Sequence, residues 1–254
     1  MFLACDIGNT NIKTGIFKDD KLIEFNSFHD YKSLINYLKK ISFNNAAVSS
    51  VVPETGDKLI KDIVSYKNIE PFIITRSVKF NLKILYDSID TLGIDRICGV
   101  EGAFYLFKKS IDINNYSSGS YIVSADFGTA TTINIIRYPG EFIGGIIAPG
   151  ITIMFEGLNK RTAQLPNVNF SNYKTTIGKD TKSSISSGVL NSTIGLIEKV
   201  IQSLKSKKTN IKIKIFITGG DAEKILSYLP FEFEYEKGLV LLGIKSVYDK
   251  NFIR

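Results

Sequence analysis

Met1 to Phe17 read MFLACDIGNTNIKTGIF. The run Met1–Cys5 is short, apolar and stopped by Asp6, which predicts a buried strand that ends on an acid. Gly8, Asn9 and Thr10 predict a tight turn, and Asn11–Phe17 alternates polar and apolar residues as a second strand. Glycine lets a ligand approach the main chain, and the N–H groups and Thr10 hydroxyl of such a turn suit a phosphate. A carboxylate at the strand end suits a hydrated divalent cation. A plain hairpin with a glycine bend fits the same residues, so this stretch alone leaves both readings open.

A second copy follows half a chain later. Ser120–Asn134 read SYIVSADFGTATTIN, again an apolar run into an acid, then Gly, Thr and a second strand-like run. Asp6 and Asp126 are separated by roughly half of the 254 residues. That spacing predicts two similar lobes, each presenting one phosphate-facing hairpin to a shared cleft. Around the first hairpin the pattern predicts a strand over 21–25, helix 31–41, strand 46–52, helix 53–66 and strand 71–75, an α/β lobe with a mixed sheet. A helix follows within Thr91–Lys109. The polar stretch at Tyr116–Gly119 predicts a boundary, giving lobes 1–116 and 117–254. The second lobe is expected to run through strands 121–125, 131–137 and 141–147 and helices 151–161 and 181–204. A strand at 211–217, a helix after Thr218-Gly219-Gly220-Asp221, a strand at 231–235 and a helix at 238–248 complete it.

With 44% hydrophobic and 22% charged residues the chain is globular in composition. The net charge of +7 is spread along it. Its densest run, Lys205–Lys214, reads as a solvated face rather than a nucleic-acid footprint. An anionic substrate also accounts for positive charge. Cys5 and Cys98 lie in apolar runs without CxxC spacing, which predicts a reducing, cytoplasmic setting rather than a disulfide or metal framework. No signal peptide or membrane span is expected.

No GxxxxGK[ST] run is present, which excludes a P-loop kinase, and GxSxG is absent as well. The single histidine, His29, sits in a surface-like stretch, so a general base must come from another residue type. Asp95 in GIDR is the best candidate, because a carboxylate at a helix start can accept a proton from a substrate hydroxyl. Capping of the following helix is the competing reading. Free N–H groups at Gly93–Arg96 favour an anion. Thr181 is either an N-cap or a substrate contact. Thr218-Gly219-Gly220 and Gly144-Gly145 either admit a flat ring or pack strand against helix.

These pieces together resemble the type III pantothenate kinases, within the acetate/sugar kinase–Hsp70–actin superfamily. The resemblance rests on DIGNTNIKTGIF, GIDR, DFGTATT, GGIIAPG at 144–150, RTAQLP at 161–166, GKDT at 178–181 and TGGDA at 218–222, in the family's order. It implies two ribonuclease H-like (actin-like ATPase) lobes, each a mixed sheet with flanking helices. It also implies ATP-dependent phosphorylation of pantothenate to 4′-phosphopantothenate, the first step of coenzyme A biosynthesis. By the same resemblance, Asp6, Ile7, Gly8, Asn9, Thr10, Asn11, Ile12 and Lys13 meet ATP phosphates, with Asp6 near Mg2+, and Thr129 meets the nucleotide. Asp95 is the base, and Tyr86, Gly93, Ile94, Asp95, Arg96 and Thr181 bind pantothenate, Thr181 from the partner subunit of a homodimer formed by the second lobe. Asp126 is the implied ligand of a monovalent cation, K+ or NH4+. Asn134 stands where family members often carry an acid, and the 113–119 connection is longer than usual. Two other readings remain: a kinase of another small alcohol on the same fold, and a regulatory binding protein related to accessory transcription factors. No nucleic acid or membrane partner is expected.

Overall fold

The computed structural model describes residues 1–110, 116–173, 175–206 and 211–253. Part of the 113–119 connection and the centre of the Lys205–Lys214 run lie outside the described residues. By packing, the chain forms two compact units.

The first unit comprises Met1–Asn115, Pro139–Gly144 and Gly238–Arg254. Strands β1 (Phe2–Ile7), β2 (Ile12–Lys18), β3 (Lys21–Phe28), β4 (Asn45–Ser50) and β5 (Phe72–Ile73) lie in the order β3-β2-β1-β4-β5. The interleaved helices are α1 (Tyr31–Lys40) and α2 (Pro53–Lys67). All six residues of β1 are buried, because helices cover both faces of the sheet at its centre. Leu3, Cys5 and Ile7 join Ile12, Leu34 and Leu59 in the core beneath α1 and α2. Phe2, Ala4 and Asp6 therefore point to the opposite face, since successive side chains alternate. Strand β6 (Lys83–Ile84) and helix α3 (Ile94–Lys109) follow.

Helix α6 (Leu239–Phe252) closes this unit from the far end of the sequence. Tyr248 lies tilted against Phe2, with ring centroids 4.7 Å apart. Helices α3 and α6 touch backbone to backbone: a Cβ at Gly102 would collide with the Leu239 carbonyl, and one at Gly243 with the Cys98 carbonyl. Besides its opening stretch, residues 139–144 and 238–254 pack with this first unit. Nine successive residues of α6, Leu239–Val247, are buried, so this helix needs cover on every side.

The second unit comprises Tyr116–Tyr138 and Gly145–Lys237. It holds β7 (Tyr121–Phe127), β8 (Ala130–Arg137), the end of β9 (Glu141–Pro149), β10 (Ile213–Thr218) and β11 (Glu234–Tyr235), in the order β11-β10-β7-β8-β9. Helices α4 (Ile151–Arg161) and α5 (Thr181–Lys205) pack on each other. Strand β7 lies between antiparallel β8 and parallel β10, as β1 lies between antiparallel β2 and parallel β4. The repeat expected from the two Asp-Gly-Thr turns is thus a repeat of topology. The helix expected after Asp221 is instead two short 3-10 turns, 222–224 and 226–228, which stop before Pro230. No described helix is long and apolar enough to cross a membrane.

Candidate active site

In the first unit Asp6 ends β1, 7% exposed, opposite Lys13 on β2 and Ser49 on β4. The turn closes by a bond from Gly8 N to Asn11 O of 3.0 Å, and a Cβ on Gly8 would press on that oxygen at 3.3 Å. Asn9 and Thr10 are exposed at its tip, while Asn11 and Lys13 are half-buried. Ile7 and Ile12 are 1% and 8% exposed and belong to the core, so only their main-chain groups could meet a phosphate.

Asp95 is the second residue of α3, after Gly93 at the N-cap position, where no side chain caps the helix. Its Oδ1 accepts from Arg96 N at 2.8 Å, leaving Oδ2 outside that bond. A Cβ on Gly93 would collide with this carboxylate, so glycine is what lets Asp95 fold back over the helix start. Asp95 thus serves the first turn of the helix through Oδ1 without capping it. One turn on, the buried Cys98 thiol is held well above its usual range, first by burial and then by the charge of Asp6, with Asp95 adding to the effect. The carboxylates of Asp6, Glu101 and Asp95 all bear on this thiol, in that order. Burial likewise pushes the Cys5 thiol up, and both cysteines are free.

Beside Asp95, Arg96 is 7% exposed. Its guanidinium carbon lies 5.5 Å from the Tyr86 ring centre and 6.0 Å from that of Phe142. The two rings are parallel within 4°, 6.1 Å apart, and Arg96 Nη1 reaches the Tyr86 hydroxyl at 3.5 Å. Such stacking fixes the orientation of the guanidinium. Phe142 had no role in the sequence reading; its strand was legible, its pairing with Tyr86 was not. The segment before α3 is fastened by Arg76 Nε donating to Leu92 O at 2.7 Å.

In the second unit Asp126 ends β7, half-buried, opposite Thr132 and beside Thr218. Gly128 N donates to Ala130 O at 3.2 Å, and Gly150 N to Thr129 O at 3.0 Å. Thr129 is exposed. Gly219, at φ +109°, presses on the Phe127 backbone, and Asp221 N donates to Phe127 O at 2.8 Å. Gly219 is therefore a packing glycine, whereas a Cβ on Gly220 would meet nothing within 4 Å. Asn134 is buried in β8 opposite Ser124.

Thr181 is the first residue of α5 and is exposed. The N-cap is Asp180, which forms a reciprocal capping box with Ser183, so the N-cap reading of Thr181 is off by one residue. Thr181 lines an apolar groove of ≈ 1000 Å³ between α4 and α5, with Ile153, Met154, Leu158 and Ile185 among its walls.

The two mixed sheets, each with its acid-and-glycine hairpin, define an actin-like fold. In structure the chain resembles a Campylobacter jejuni protein described as a Baf family transcriptional activator (TM-score 0.61, 22% identity, 98% of each chain). It also resembles a Sinorhizobium meliloti protein described as a 2-dehydro-3-deoxygalactonokinase (TM-score 0.55, 10% identity, all of each chain). At such identities the likeness is one of fold. The chain belongs to the type III pantothenate kinase family, whose model matches residues 2–203. Type III pantothenate kinases of Sulfurihydrogenibium sp. and Finegoldia magna are each 34% identical to it, covering 96% and 99% of this chain and 98% of each relative. The chain is accordingly an enzyme that phosphorylates pantothenate with ATP in coenzyme A biosynthesis. ATP use brings a divalent metal such as Mg2+. Asp6 suits it, a buried carboxylate at a phosphate-type turn, because Mg2+ is commonly held by one or two carboxylates with phosphate and water completing the shell.

Proposed function

We propose that Asp95 takes the proton from the primary hydroxyl of pantothenate as that oxygen attacks the γ-phosphorus of ATP and ADP departs. The observation that supports this most directly is the start of α3, where Asp95 bonds Arg96 N through Oδ1 and Arg96 lies against the Tyr86 and Phe142 rings. A carboxylate beside a cation and a ring-lined wall suits a proton acceptor for a bound alcohol. Bound Mg2+ would neutralise charge on the phosphates from Asp6. The main-chain groups of residues 7–13 and the Lys13 ammonium would hold the phosphates in line, which is the larger part of phosphoryl-transfer catalysis. Gly93, Ile94, Arg96 and Tyr86 would orient the acceptor, Arg96 through its guanidinium. Release of ADP with pantothenate, Mg2+ and K+ present, against omission of each, tests the assignment. Release that does not depend on pantothenate rejects it.

Asp126 is the ligand we assign to a monovalent cation, K+ or NH4+, with Thr129 contacting the nucleotide. A half-buried carboxylate at a hairpin end suits a weakly hydrated ion. Asp126→Ala should flatten the dependence of rate on K+, read in a titration at constant ionic strength. A titration curve matching the wild type rejects the role.

The second lobe, over 117–254, is also our proposed site of homodimerisation, through the α4–α5 groove. Ile153 and Leu158 stay 44% and 37% exposed there, and Thr181 also lines the groove, from which it would serve the partner's acceptor site. Ile153→Asp should shift the mass in solution from dimer to monomer and remove pantothenate saturation together, by light scattering and kinetics. A dimer that persists would reject the groove as the interface. The reaction is assigned to the cytoplasm, which agrees with two free buried thiols.

A further inference from the structure

We propose that Glu101 is a positioning residue for the acceptor site: it holds the Tyr86-bearing wall in register with the helix that carries Asp95 and Arg96. The proposal rests on the reading of Tyr86 and Arg96 as pantothenate contacts.

Glu101 lies in α3 with no exposed surface. A carboxylate in such a place costs far more to bury than an apolar side chain, unless its oxygens are satisfied. They are satisfied entirely by one two-residue stretch. Oε1 accepts from Asn81 N at 2.8 Å and Leu82 N at 2.9 Å, and Oε2 accepts from Asn81 Nδ2 at 2.8 Å. All three partners are donors, which suits an ionised carboxylate. Burial pushes its pKa up, and the N–H groups of Asn81 and Leu82 pull against that. The Asn81 amide also donates to Ser246 Oγ on α6 at 3.1 Å.

From this anchor the chain has little slack before Tyr86. Lys83 N and Leu85 N donate to Gly140 O and Phe142 O at 2.9 and 2.8 Å, and the next residue is Tyr86, parallel to Phe142. Arg96 lies five residues before Glu101, about 7.5 Å along the helix axis. Helix α3 therefore grips the same segment twice, at Asn81–Leu82 through Glu101 and at Tyr86 through Arg96. The first grip sets where the second meets the ring. Charge-assisted bonds to main-chain N–H groups are the strong and directional kind, suited to fixing a wall within fractions of an ångström.

The test uses the full chain and steady-state kinetics of Glu101→Gln, Glu101→Ala, Asn81→Ala and Tyr86→Ala. Glutamine keeps an acceptor for both main-chain N–H groups, and its own amide can face a flipped Asn81 side chain. Its KM for pantothenate should stay within about twofold of wild type. Glu101→Ala should raise that KM on the order of tenfold, because small misplacements of an orienting wall are costly, with the KM for ATP unchanged. Asn81→Ala, which loses the side-chain bonds but keeps both main-chain ones, should fall between and does so even if Glu101→Ala fails to fold. Hydrogen exchange at the amides of residues 82–86 should quicken in the same order. Wild-type pantothenate KM in Asn81→Ala and Glu101→Ala, or equal rises in both KM values, overturns the proposal. If Tyr86→Ala raises the pantothenate KM in that case, the reading of the wall survives and only the anchor falls. An unchanged KM in Tyr86→Ala overturns the wall reading and the proposal with it.

Discussion

Asp95→Asn should lower kcat by roughly 10²–10⁴-fold, the usual contribution of a positioned general base. The substitution separates the two things Asp95 can do. Asparagine keeps an oxygen where Oδ1 accepts from Arg96 N, so the start of α3 and the placement of Arg96 on Tyr86 and Phe142 are retained. It removes the basic oxygen and one negative charge near a helix N-terminus, the latter worth only about 0.3–1 kcal/mol. The melting temperature should therefore move by a few degrees at most, and ATP should bind as before, by calorimetry. The rate, followed by coupled ADP release, should collapse without a matching change in the KM for ATP. Turnover near the wild-type rate would show that Asp95 only supports the helix.

The hairpins were legible because their signal is local. An apolar run, an acid and a glycine turn lie within a dozen residues, and the parallel neighbours β4 and β10 follow from the α/β pattern. Asp95 and Arg96 were legible for the same reason, as a helix start. What surrounds them was not. Phe142 reaches Tyr86 across more than fifty positions of sequence, and an alternating strand does not reveal which ring it will face. Glu101 reads as an ordinary helical acid, and Asn81 lies in an aperiodic segment, so nothing local joins them. The first turns of α6, Leu239–Ile244, are apolar all round, which announces burial but not the sheet that receives it. The shift of the N-cap from Thr181 to Asp180 is different: the Asp180–Ser183 spacing carries that information, and a one-residue error in a helix start is enough to change the role assigned to Thr181.

Gly243→Ala should be the most damaging single methyl group in the first unit. At this crossing α3 and α6 approach so closely that the new Cβ would meet the Cys98 carbonyl, a main-chain atom that no rotamer change can move. Relief requires the helices to part. Overpacking costs about 1–3 kcal/mol where side chains can adjust, and more here because they cannot. For a chain of this size each kcal/mol is worth about 2–4 °C, so a fall of roughly 10 °C or failure to accumulate folded protein is expected. Gly195→Ala is the control: it lies in α5 with nothing within 4 Å of the added Cβ, and helix propensity then favours alanine by up to about 1 kcal/mol. The two variants should move the melting temperature in opposite directions. Because α3 carries Asp95, Arg96 and Cys98, the residual activity of any folded Gly243→Ala should fall further than its folded fraction. Wild-type melting and turnover in that variant would mean that the α3–α6 crossing tolerates separation and does not position the base.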